Sequence, residues 1–307
     1  MLRSSSSLIL LLFCSAVDAG DHHYSEDIMR GWGADVDTTP VTTQQVAPGV
    51  HALFGVGGNV LVAMGGDGTL LVDDQFPTMV PKIIATVQSL GSNRVDFVIN
   101  THWHFDHSDG NAALADTGTV VVSHDKSRQR LLHAQSVDLG GQIVEQAAAP
   151  AGGLPVITYS DRLSFHFNNE RIDVLFFGPA HTDGDAVVYL TGSNVLHTGD
   201  VYVNESYPFI DSGNGGSLAG MREYCEALLE LVNEDTVIVP GHGSVSGYSD
   251  LERYVSMLRD TELAIAALVA DGLTLEEVLA ARPTATWDEV YGDSRRFIDR
   301  AYDSLTK

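Results

Sequence analysis

Cysteine is scarce in this chain of 307 residues, which contains only Cys14 and Cys225. Cys14 lies in a segment that we predict below to be removed, so the mature chain cannot form an internal disulfide. Cys225 lies in a helical pattern over residues 221–229. We interpret it as a small buried apolar residue and not as a nucleophile.

Basic residues are also few: 17 Lys and Arg stand against 41 Asp and Glu, which gives a formal net charge of -24. No basic run compensates for this imbalance. A surface of this sign repels nucleic acid and anionic lipid. We therefore expect a small-molecule substrate and neither a nucleic-acid nor a membrane partner, and the oligomeric state stays open.

The apolar run at residues 8–13 is too short to span a bilayer. Arg3 precedes it, and the small-residue pattern Val17-Asp18-Ala19 follows it, an arrangement typical of an export signal. We predict a signal peptide over residues 1–19, cleavage before Gly20, and a periplasmic or secreted mature protein. The alternative is an N-terminus that stays attached.

Clusters of polar residues, Gly and Pro divide the rest of the chain. Residues 20–44 are polar, and we predict that this segment, with His22 and His23, is a solvated tail. A Gly-, Ala- and Pro-rich stretch at 140–155 separates two halves. We predict one domain over residues 45–248 and a helical C-terminal extension, residues 249–307, packed on it.

Each half begins with strands and continues with helices. Strand patterns and glycine turns over 51–72 predict a hairpin meander, followed by a helix at 77–90 and a buried strand at 95–99. In the second half, strands between 163 and 198 precede a helix at 218–232. Two successive halves of this kind predict an α/β fold with two sheets face to face and helices outside, a four-layer α/β/β/α sandwich.

A dense group of metal-ligand side chains follows the buried strand at 95–99 directly: His102, His104, Asp106 and His107. Sites are commonly built in loops at the carboxyl ends of strands. Alternation places His102 and His104 on one side, and neutral imidazoles suit zinc. The carboxylate and imidazole that come next can turn toward a second ion.

Three further candidates lie in Gly-rich loops at later strand ends: His181, Asp200 and His242. The alternative, hydrogen-bonded core residues, must account for four ligand-type side chains within six positions and for three more at strand ends. Five other histidines lack this context and are interpreted as structural: His51, His124, His133, His166 and His197. His197 is close to Asp200 and is also a candidate partner of a ligand.

Taken in order, His-x-His-x-Asp-His, Gly-Pro-x-His-Thr, Thr-Gly-Asp and Pro-Gly-His-Gly resemble the metallo-β-lactamase-fold hydrolases over residues 46–247. The resemblance implies the α/β/β/α sandwich, with its two halves meeting at a metal cleft, and two zinc ions per chain. It also implies the ligand sets: one ion on His102, His104 and His181, the other on Asp106, His107 and His242, and Asp200 bridging them.

The resemblance further implies how a small carbonyl substrate is hydrolysed. Two zinc ions supply a bridging hydroxide near neutral pH, which attacks the carbonyl carbon. One ion stabilises the oxyanion and the other the leaving group. Asp106 can orient the hydroxide through its free oxygen. We predict a zinc-dependent hydrolase of an ester, lactone or thioester.

Other activities stay open. Family members that hydrolyse β-lactams most often have Cys or Ser at the position of Asp200, and many carry a Lys shortly after it, which this chain lacks. Asp200 resembles the bridging residue of glyoxalase II and related thioesterases and lactonases, but the basic glutathione-binding tail of glyoxalase II is absent. An iron-dependent sulfur dioxygenase and a non-catalytic binding module are further alternatives.

The loops expected to rim the cleft contain no Lys or Arg; they span residues 101–109, 181–185, 200–217 and 241–246. Their aromatic residues suit apolar or neutral groups: Trp103, Phe105, Tyr202, Tyr207 and Phe209. Tyr207 is a candidate substrate or oxyanion contact, with a structural loop as the alternative. We therefore expect neutral acyl substrates to be preferred to anionic ones, unless Arg128, Arg130 or Arg162 reaches the cleft.

Overall fold

The computed structural model describes residues 24–307. The signal peptide predicted at 1–19, with Cys14, and the two histidines His22 and His23 lie outside these residues. Export therefore stays a prediction. No helix within residues 24–307 combines the length and the apolarity needed to span a bilayer.

The described residues contain fifteen strands and ten α-helices. The strands are β1 (Thr42–Ala47), β2 (Val50–Phe54), β3 (Val60–Met64), β4 (Thr69–Val72), β5 (Phe97–Ile99), β6 (Val120–His124), β7 (Gln135–Asp138), β8 (Ile143–Gln146), β9 (Ile157–Tyr159), β10 (Arg162–Phe167), β11 (Glu170–Leu175), β12 (Val187–Leu190), β13 (Val195–His197), β14 (Val237–Val239) and β15 (Ser246–Gly247). The helices are α1 (Tyr24–Gly31), α2 (Val80–Ser89), α3 (Phe105–Ser108), α4 (Asn111–Ala115), α5 (Asp125–Leu131), α6 (Leu218–Leu231), α7 (Tyr248–Ala270), α8 (Leu275–Ala281), α9 (Asp288–Tyr291) and α10 (Arg295–Thr306).

Two large sheets and one small hairpin account for these strands. The first sheet has the order β1-β2-β3-β4-β5-β6-β9, the second has the order β10-β11-β12-β13-β14-β15, and β7 pairs only with β8. Strands β2, β3 and β4 are antiparallel neighbours, which confirms the meander predicted over 51–72. Strands β4, β5 and β6 run parallel, so their carboxyl ends meet at one edge.

Alternate residues show how the layers are stacked, because successive side chains of a strand point to opposite faces. Val62 of β3 belongs to a core that it shares with Ile83 of α2. Its neighbour Leu61 belongs to a second core, shared with Val188 of the other sheet. On the far side of that sheet, Leu196 shares a third core with α6, α7 and α10. The order is helix, sheet, sheet, helix, as predicted.

The segment at 20–44 differs from the predicted solvated tail. Within its described part, α1 packs on the domain: Ser25 donates a hydrogen bond to Asp109, and the buried carboxylate of Glu26 accepts one from the Thr78 amide. Strand β1 then begins at Thr42 and pairs with β2. Specific donors for buried polar groups hold this segment in place, which its polar composition does not reveal.

The stretch at 140–155, which was predicted to separate the two halves, contains strand β8 and part of a hairpin. Gly140 and Gly141 have positive φ and form the turn between β7 and β8. Val137 and Val144, one from each strand, are buried in the core beneath the first sheet. This hairpin therefore closes over the helical side of the first half.

Candidate metal centre

The loop after β5 carries four of the seven predicted ligand residues. His102 and His104 lie in the loop itself, and Asp106 and His107 lie in the single turn of α3. The three imidazoles are almost completely buried. The loop opens at the edge where the parallel strands β4, β5 and β6 end, which is where such sheets form their sites.

The second half of the chain brings the other three to the same place: His181, Asp200 and His242. Each lies in a loop that follows a strand of the second sheet: His181 after β11, Asp200 after β13 and His242 after β14. The seven residues form three overlapping groups whose potential ligand atoms lie within 4.8 Å of one another: His102, His104 and His181; His102, His107 and Asp200; Asp106, His107 and His242. The structure thus brings all seven together between the two sheets.

Hydrogen-bond acceptors determine the tautomers in the first group. His104 Nε2 lies 3.0 Å from Asp211 Oδ2, and His181 Nδ1 lies 2.8 Å from the Phe209 carbonyl oxygen. An ionised carboxylate and a carbonyl only accept, so we assign a proton to each of these nitrogens. The remaining nitrogens, His104 Nδ1 and His181 Nε2, carry lone pairs that face each other across 2.9 Å. Two converging lone pairs suit a shared cation.

His102 follows the same logic. Thr101 Oγ1 donates to Asp73 Oδ2 at 2.8 Å, so its oxygen accepts from His102 Nδ1 at 3.0 Å. The lone pair then belongs to His102 Nε2, a buried atom without a hydrogen-bond partner among the described residues. A buried polar atom without a partner is costly. A metal ion in front of this nitrogen would provide the missing partner.

His107 is oriented by the same carboxylate. Its Nδ1 lies 2.7 Å from Asp73 Oδ2, so Nε2 is the nitrogen directed at the centre. That nitrogen faces Asp200 Oδ1 at 3.1 Å and Asp106 Oδ2 at 3.7 Å. His242 Nε2 approaches Asp106 Oδ2 to 3.2 Å. Imidazole nitrogens and two carboxylates that approach one another in this way fit a cation, so the donor set suits a metal site.

Asp73 is a functional candidate that the sequence analysis missed. It binds both Thr101 and His107 from a backbone position with φ of 63°, a strained conformation for a residue with a side chain. It follows β4 as Asp200 follows β13, so the rule of strand ends could have identified it. Asp211, which contacts His104, was named only within a loop, and no local pattern indicates its role.

Charge is divided unequally between the groups. Burial and the neighbouring His107, His104 and His181 keep the pKa of His102 well below its ordinary value. Burial and His104 lower the pKa of His181 to about 4. These imidazoles are therefore neutral, as metal ligands must be.

The other side of the centre is anionic. Burial raises the pKa of Asp106, but His107 and His242 outweigh burial and bring that pKa to about 2. Burial lowers the pKa of His107, yet Asp200, Asp106 and Asp73 outweigh it and hold that pKa well above its ordinary value. The carboxylates thus attract positive charge to the point on which the lone pairs converge.

The predicted aromatic rim is mostly wrong. Trp103 and Tyr202 are fully buried, and Phe105 is nearly so. The Tyr207 hydroxyl lies 3.1 Å from the Thr284 carbonyl oxygen and 3.0 Å from Asp288 Oδ1, two acceptors that share its one proton, so it contacts the C-terminal segment and not the centre. These side chains complete the cores under their loops.

Of the predicted rim, Phe209 alone stays half-buried beside the centre. Its ring centroid lies 6.1 Å from that of His104 and 5.7 Å from that of His181.

The five histidines interpreted as structural lie outside the three ligand groups. His197 is the nearest in function: its Nε2 bonds the Asn59 carbonyl at 2.9 Å, and its Nδ1 accepts from the Gly199 amide at 3.2 Å. It therefore supports the loop that carries Asp200 and does not bond Asp200 itself. His124 caps α5 through the amide of Lys126.

A cavity of about 460 Å³ opens beside His242, whose side chain is 41% exposed. Its lining is uncharged apart from that imidazole: Gln44, Phe54, Gly55, Val56, Gly57, Asn59, Gly243 and Ser244. The volume is in the range of small-molecule sites. The cavity adjoins the carboxylate side of the centre, where Asp106 meets His242.

Curated relatives share much of the chain. It is 24% identical over 204 residues to "Metallo-beta-lactamase type 2" of Bacillus sp. (strain 170), a match that covers 66% of this chain and 72% of the relative. It is 26% identical over 238 residues to "Hydroxyacylglutathione hydrolase" of Polaromonas sp., with coverage of 75% and 77%.

A solved structure shares the fold. The metallo-beta-lactamase from Pontibacter korlensis superposes with a TM-score of 0.57 at 20% identity, and the match covers 72% of this chain and 99% of that one.

The family model of the metallo-beta-lactamase superfamily matches residues 53–242. This range runs from the end of β2 to the loop after β14 and contains all seven residues of the ligand cluster. The chain belongs to the metallo-beta-lactamase superfamily.

Proposed function

We propose that this chain is a binuclear zinc hydrolase of a small uncharged carbonyl compound, an ester, a lactone or a thioester. One observation carries the proposal: the imidazoles of His102, His104 and His181 are each hydrogen-bonded through one nitrogen, and the nitrogens that they direct at the centre lie within 4.8 Å of one another. We propose that His102, His104 and His181 hold one ion and that Asp106, His107 and His242 hold the other, with Asp200 between them.

Two such ions, when bound, lower the pKa of water toward neutrality and polarise a carbonyl group. The side chains of this chain do the rest. Asp106 is ionised, lies against His242 at 3.2 Å and adjoins the cavity. We propose that it holds and orients the attacking water.

The lining of the cavity supports an uncharged substrate. No Lys or Arg lines it. The three arginines that the sequence left as possible anchors do not line it either: Arg128 bonds the Pro155 carbonyl, Arg130 pairs with Asp183, and Arg162 lies on the exposed edge strand β10. An anionic substrate would therefore have no Lys or Arg side chain to hold it in this cavity.

β-Lactam hydrolysis is the second candidate, because relatives bear the name metallo-beta-lactamase. The same uncharged lining disfavours it, since β-lactam drugs carry a carboxylate. A glutathione thioester is disfavoured on the same ground, although one relative is named hydroxyacylglutathione hydrolase. Iron chemistry remains a third candidate that metal analysis separates.

The test begins with protein purified without added metal. We expect about two zinc ions per chain, loss of hydrolysis on chelation, and recovery with zinc. Bound iron with oxygen-dependent oxidation of a persulfide would favour the dioxygenase. Failure to bind any metal would favour a binding module.

Kinetics on a matched pair then test the substrate class. Methyl 4-acetoxybenzoate is neutral, and 4-acetoxybenzoate differs from it by one negative charge. We expect a higher kcat/KM for the neutral ester, with the difference mainly in KM, because a missing anchor removes uniform binding. Preference for the anionic ester or for a β-lactam over lactones would contradict the proposal.

A further inference from the structure

We propose that Arg130 is a positioning residue for the His104–His181 side of the metal centre: through Asn214 and Asp183 it holds the two loops that orient these imidazoles. The inference rests on the proposed metal-dependent function. Arg130 belongs to α5, in the first half of the chain, whereas both loops belong to the second half.

The first of these contacts fixes the His181 loop. Arg130 Nε donates to Asp183 Oδ1 at 3.2 Å, and Nη2 donates to Asp183 Oδ2 at 2.9 Å. This is the paired geometry that makes Arg–carboxylate contacts directional. Asp183 lies two residues after His181. From the same helix, Ser127 Oγ donates to the Gly184 carbonyl at 2.9 Å. Helix α5 therefore hydrogen-bonds two successive residues of this loop, Asp183 and Gly184.

The second contact fixes the orientation of a carboxamide. Arg130 Nη1 donates to Asn214 Oδ1 at 2.9 Å. The amide nitrogen of Asn214 must then point the other way, where it donates to Asp211 Oδ1 at 3.0 Å and Oδ2 at 2.9 Å. It also donates to the Ser136 carbonyl at 3.0 Å, so it cannot turn without losing several bonds.

Asp211 connects the Asn214 amide to the candidate metal centre. Its Oδ2 lies 3.0 Å from His104 Nε2, and its amide donates to the His181 carbonyl at 3.0 Å. Asp211 is almost completely buried, so its carboxylate needs the Asn214 amide as a donor. A continuous path therefore joins Arg130 to His104 Nδ1, the nitrogen that faces His181.

These contacts differ from an ordinary surface ion pair. The side chains of Arg130 and Asp183 are only 26% and 18% exposed, and one guanidinium contacts two loops and the side chain of Gln135. Exposed pairs contribute little because solvent screens them and their side chains lose entropy. Here the ordered partners already limit those losses, so removal of the guanidinium should disturb geometry more than net charge.

Three variants and one control test the proposal. Arg130→Met keeps the aliphatic stem and removes every donor, and Arg130→Lys keeps the charge but not the paired geometry. Asn214→Asp is isosteric and replaces the amide donor with a second carboxylate against Asp211. The control is Arg128→Met on the same helix, because Arg128 donates to the Pro155 carbonyl and contacts neither loop.

Two readouts do not depend on hydrolysis. Zinc affinity, measured by competition with a chromophoric chelator, should fall about 10- to 100-fold for one of the two ions in Arg130→Met and Asn214→Asp, as for other residues that orient ligands. The Arg130→Lys variant should lie between these and wild type, and Arg128→Met should match wild type. In metal-free protein, the imidazole ¹⁵N shifts of His104 should show one tautomer in wild type and a mixture in Asn214→Asp.

A merely structural role gives a different pattern. If Arg130→Met and Asn214→Asp lower the Tm but keep both zinc affinities and the His104 tautomer, the proposal is wrong. If Arg130→Met does not fold, the isosteric Asn214→Asp decides alone. A wild-type protein that binds two zinc ions but hydrolyses no ester, lactone or thioester would overturn the proposed substrate class and leave this inference standing, because its readouts are affinity and tautomer.

Discussion

Asp200 belongs to the middle one of the three ligand groups and also approaches a histidine of each of the other two. Its Oδ1 is 3.1 Å from His107 Nε2, and its Oδ2 is 3.5 Å from His242 Nε2 and 3.7 Å from His181 Nε2. A carboxylate in this position can neutralise two cations at once. Neither group of imidazoles replaces that charge.

We expect Asp200→Ala to lose metal from both positions, because the two cations would lack their shared counter-charge. Activity should fall by at least about 100-fold, the upper end of what loss of a supporting residue costs. Metal analysis after gel filtration, together with kcat/KM, measures the effect. Asp116→Ala, which removes an exposed carboxylate in the first half, is the control. Two retained zinc ions with near-normal turnover would refute the assignment.

Tyr207 gives a prediction of the opposite kind. Its hydroxyl bonds Thr284 and Asp288, so Tyr207→Phe should leave kcat/KM within about twofold of wild type. The lost bonds should reduce the free energy of unfolding by about 1 kcal/mol. Urea unfolding and steady-state kinetics on one preparation measure both. A large loss of activity at unchanged stability would instead indicate that Tyr207 contacts the substrate or the oxyanion.

Single residues were predictable where their type and spacing carry the chemistry. His102, His104, Asp106 and His107 lie within six positions, and the other candidates end strands. Residues that orient them have no such pattern. Arg130 and Asn214, for example, are 84 positions apart and are ordinary surface types in the sequence. Their role depends on which loops the fold brings together.

The loop between β2 and β3 restricts the space around the candidate metal centre. The loop between β2 and β3 passes so close to α3 that the Gly58 amide donates to the Asp106 carbonyl at 3.0 Å. A Cβ at Gly58 would lie 2.1 Å from His107 Cε1 and 2.5 Å from Nε2. Glycine is therefore required here by the close approach of the His107 ring and not by backbone strain.

We expect Gly58→Ala to displace His107 or the loop, to reduce bound zinc, and to cost about 1–3 kcal/mol of stability, as for overpacked sites. Gly66→Ala is the matched control, because it lies in the next hairpin and its Cβ would meet nothing within 4 Å. Zinc content and thermal unfolding of both variants measure the difference. Equal zinc content in the two variants would contradict the close approach.

Elements were predicted well where burial dictates the pattern. The meander over 51–72 and the apolar strand β5 are examples, since β3 and β4 are buried along almost their whole length. Helix α1 and strand β8 were missed because they are polar or lie beside glycines. Yet Gln146 of β8 donates to the Trp103 carbonyl at 2.9 Å and accepts from the Phe105 amide at 3.1 Å, so a missed strand supports the ligand loop.

The whole molecule was predictable as two β-then-α halves, because each half shows the same order of patterns along the sequence. The pairing of β6 with β9 across the β7–β8 hairpin was not, because strand order depends on contacts between distant segments. The net charge of -24, in contrast, needs no structure and bears on the stability of the entire fold. Like charges repel most when the chain is compact.

Salt should therefore stabilise this protein. The Debye length falls from about 10 Å at 0.1 M salt to about 3 Å at 1 M, so added NaCl weakens repulsion among the excess carboxylates. It also weakens ion pairs such as Arg253 with Asp250 and Arg259 with Glu226, but such solvent-accessible pairs contribute only about 0–1 kcal/mol each. With 41 acidic and 17 basic residues, repulsion outweighs these pairs.

We expect the Tm to rise with NaCl when it is measured at constant zinc concentration. In a control variant with several exposed Asp and Glu replaced by Asn and Gln, we expect a smaller rise. A Tm that falls with NaCl would mean that the ion pairs, and not the net charge, dominate the electrostatics of the fold.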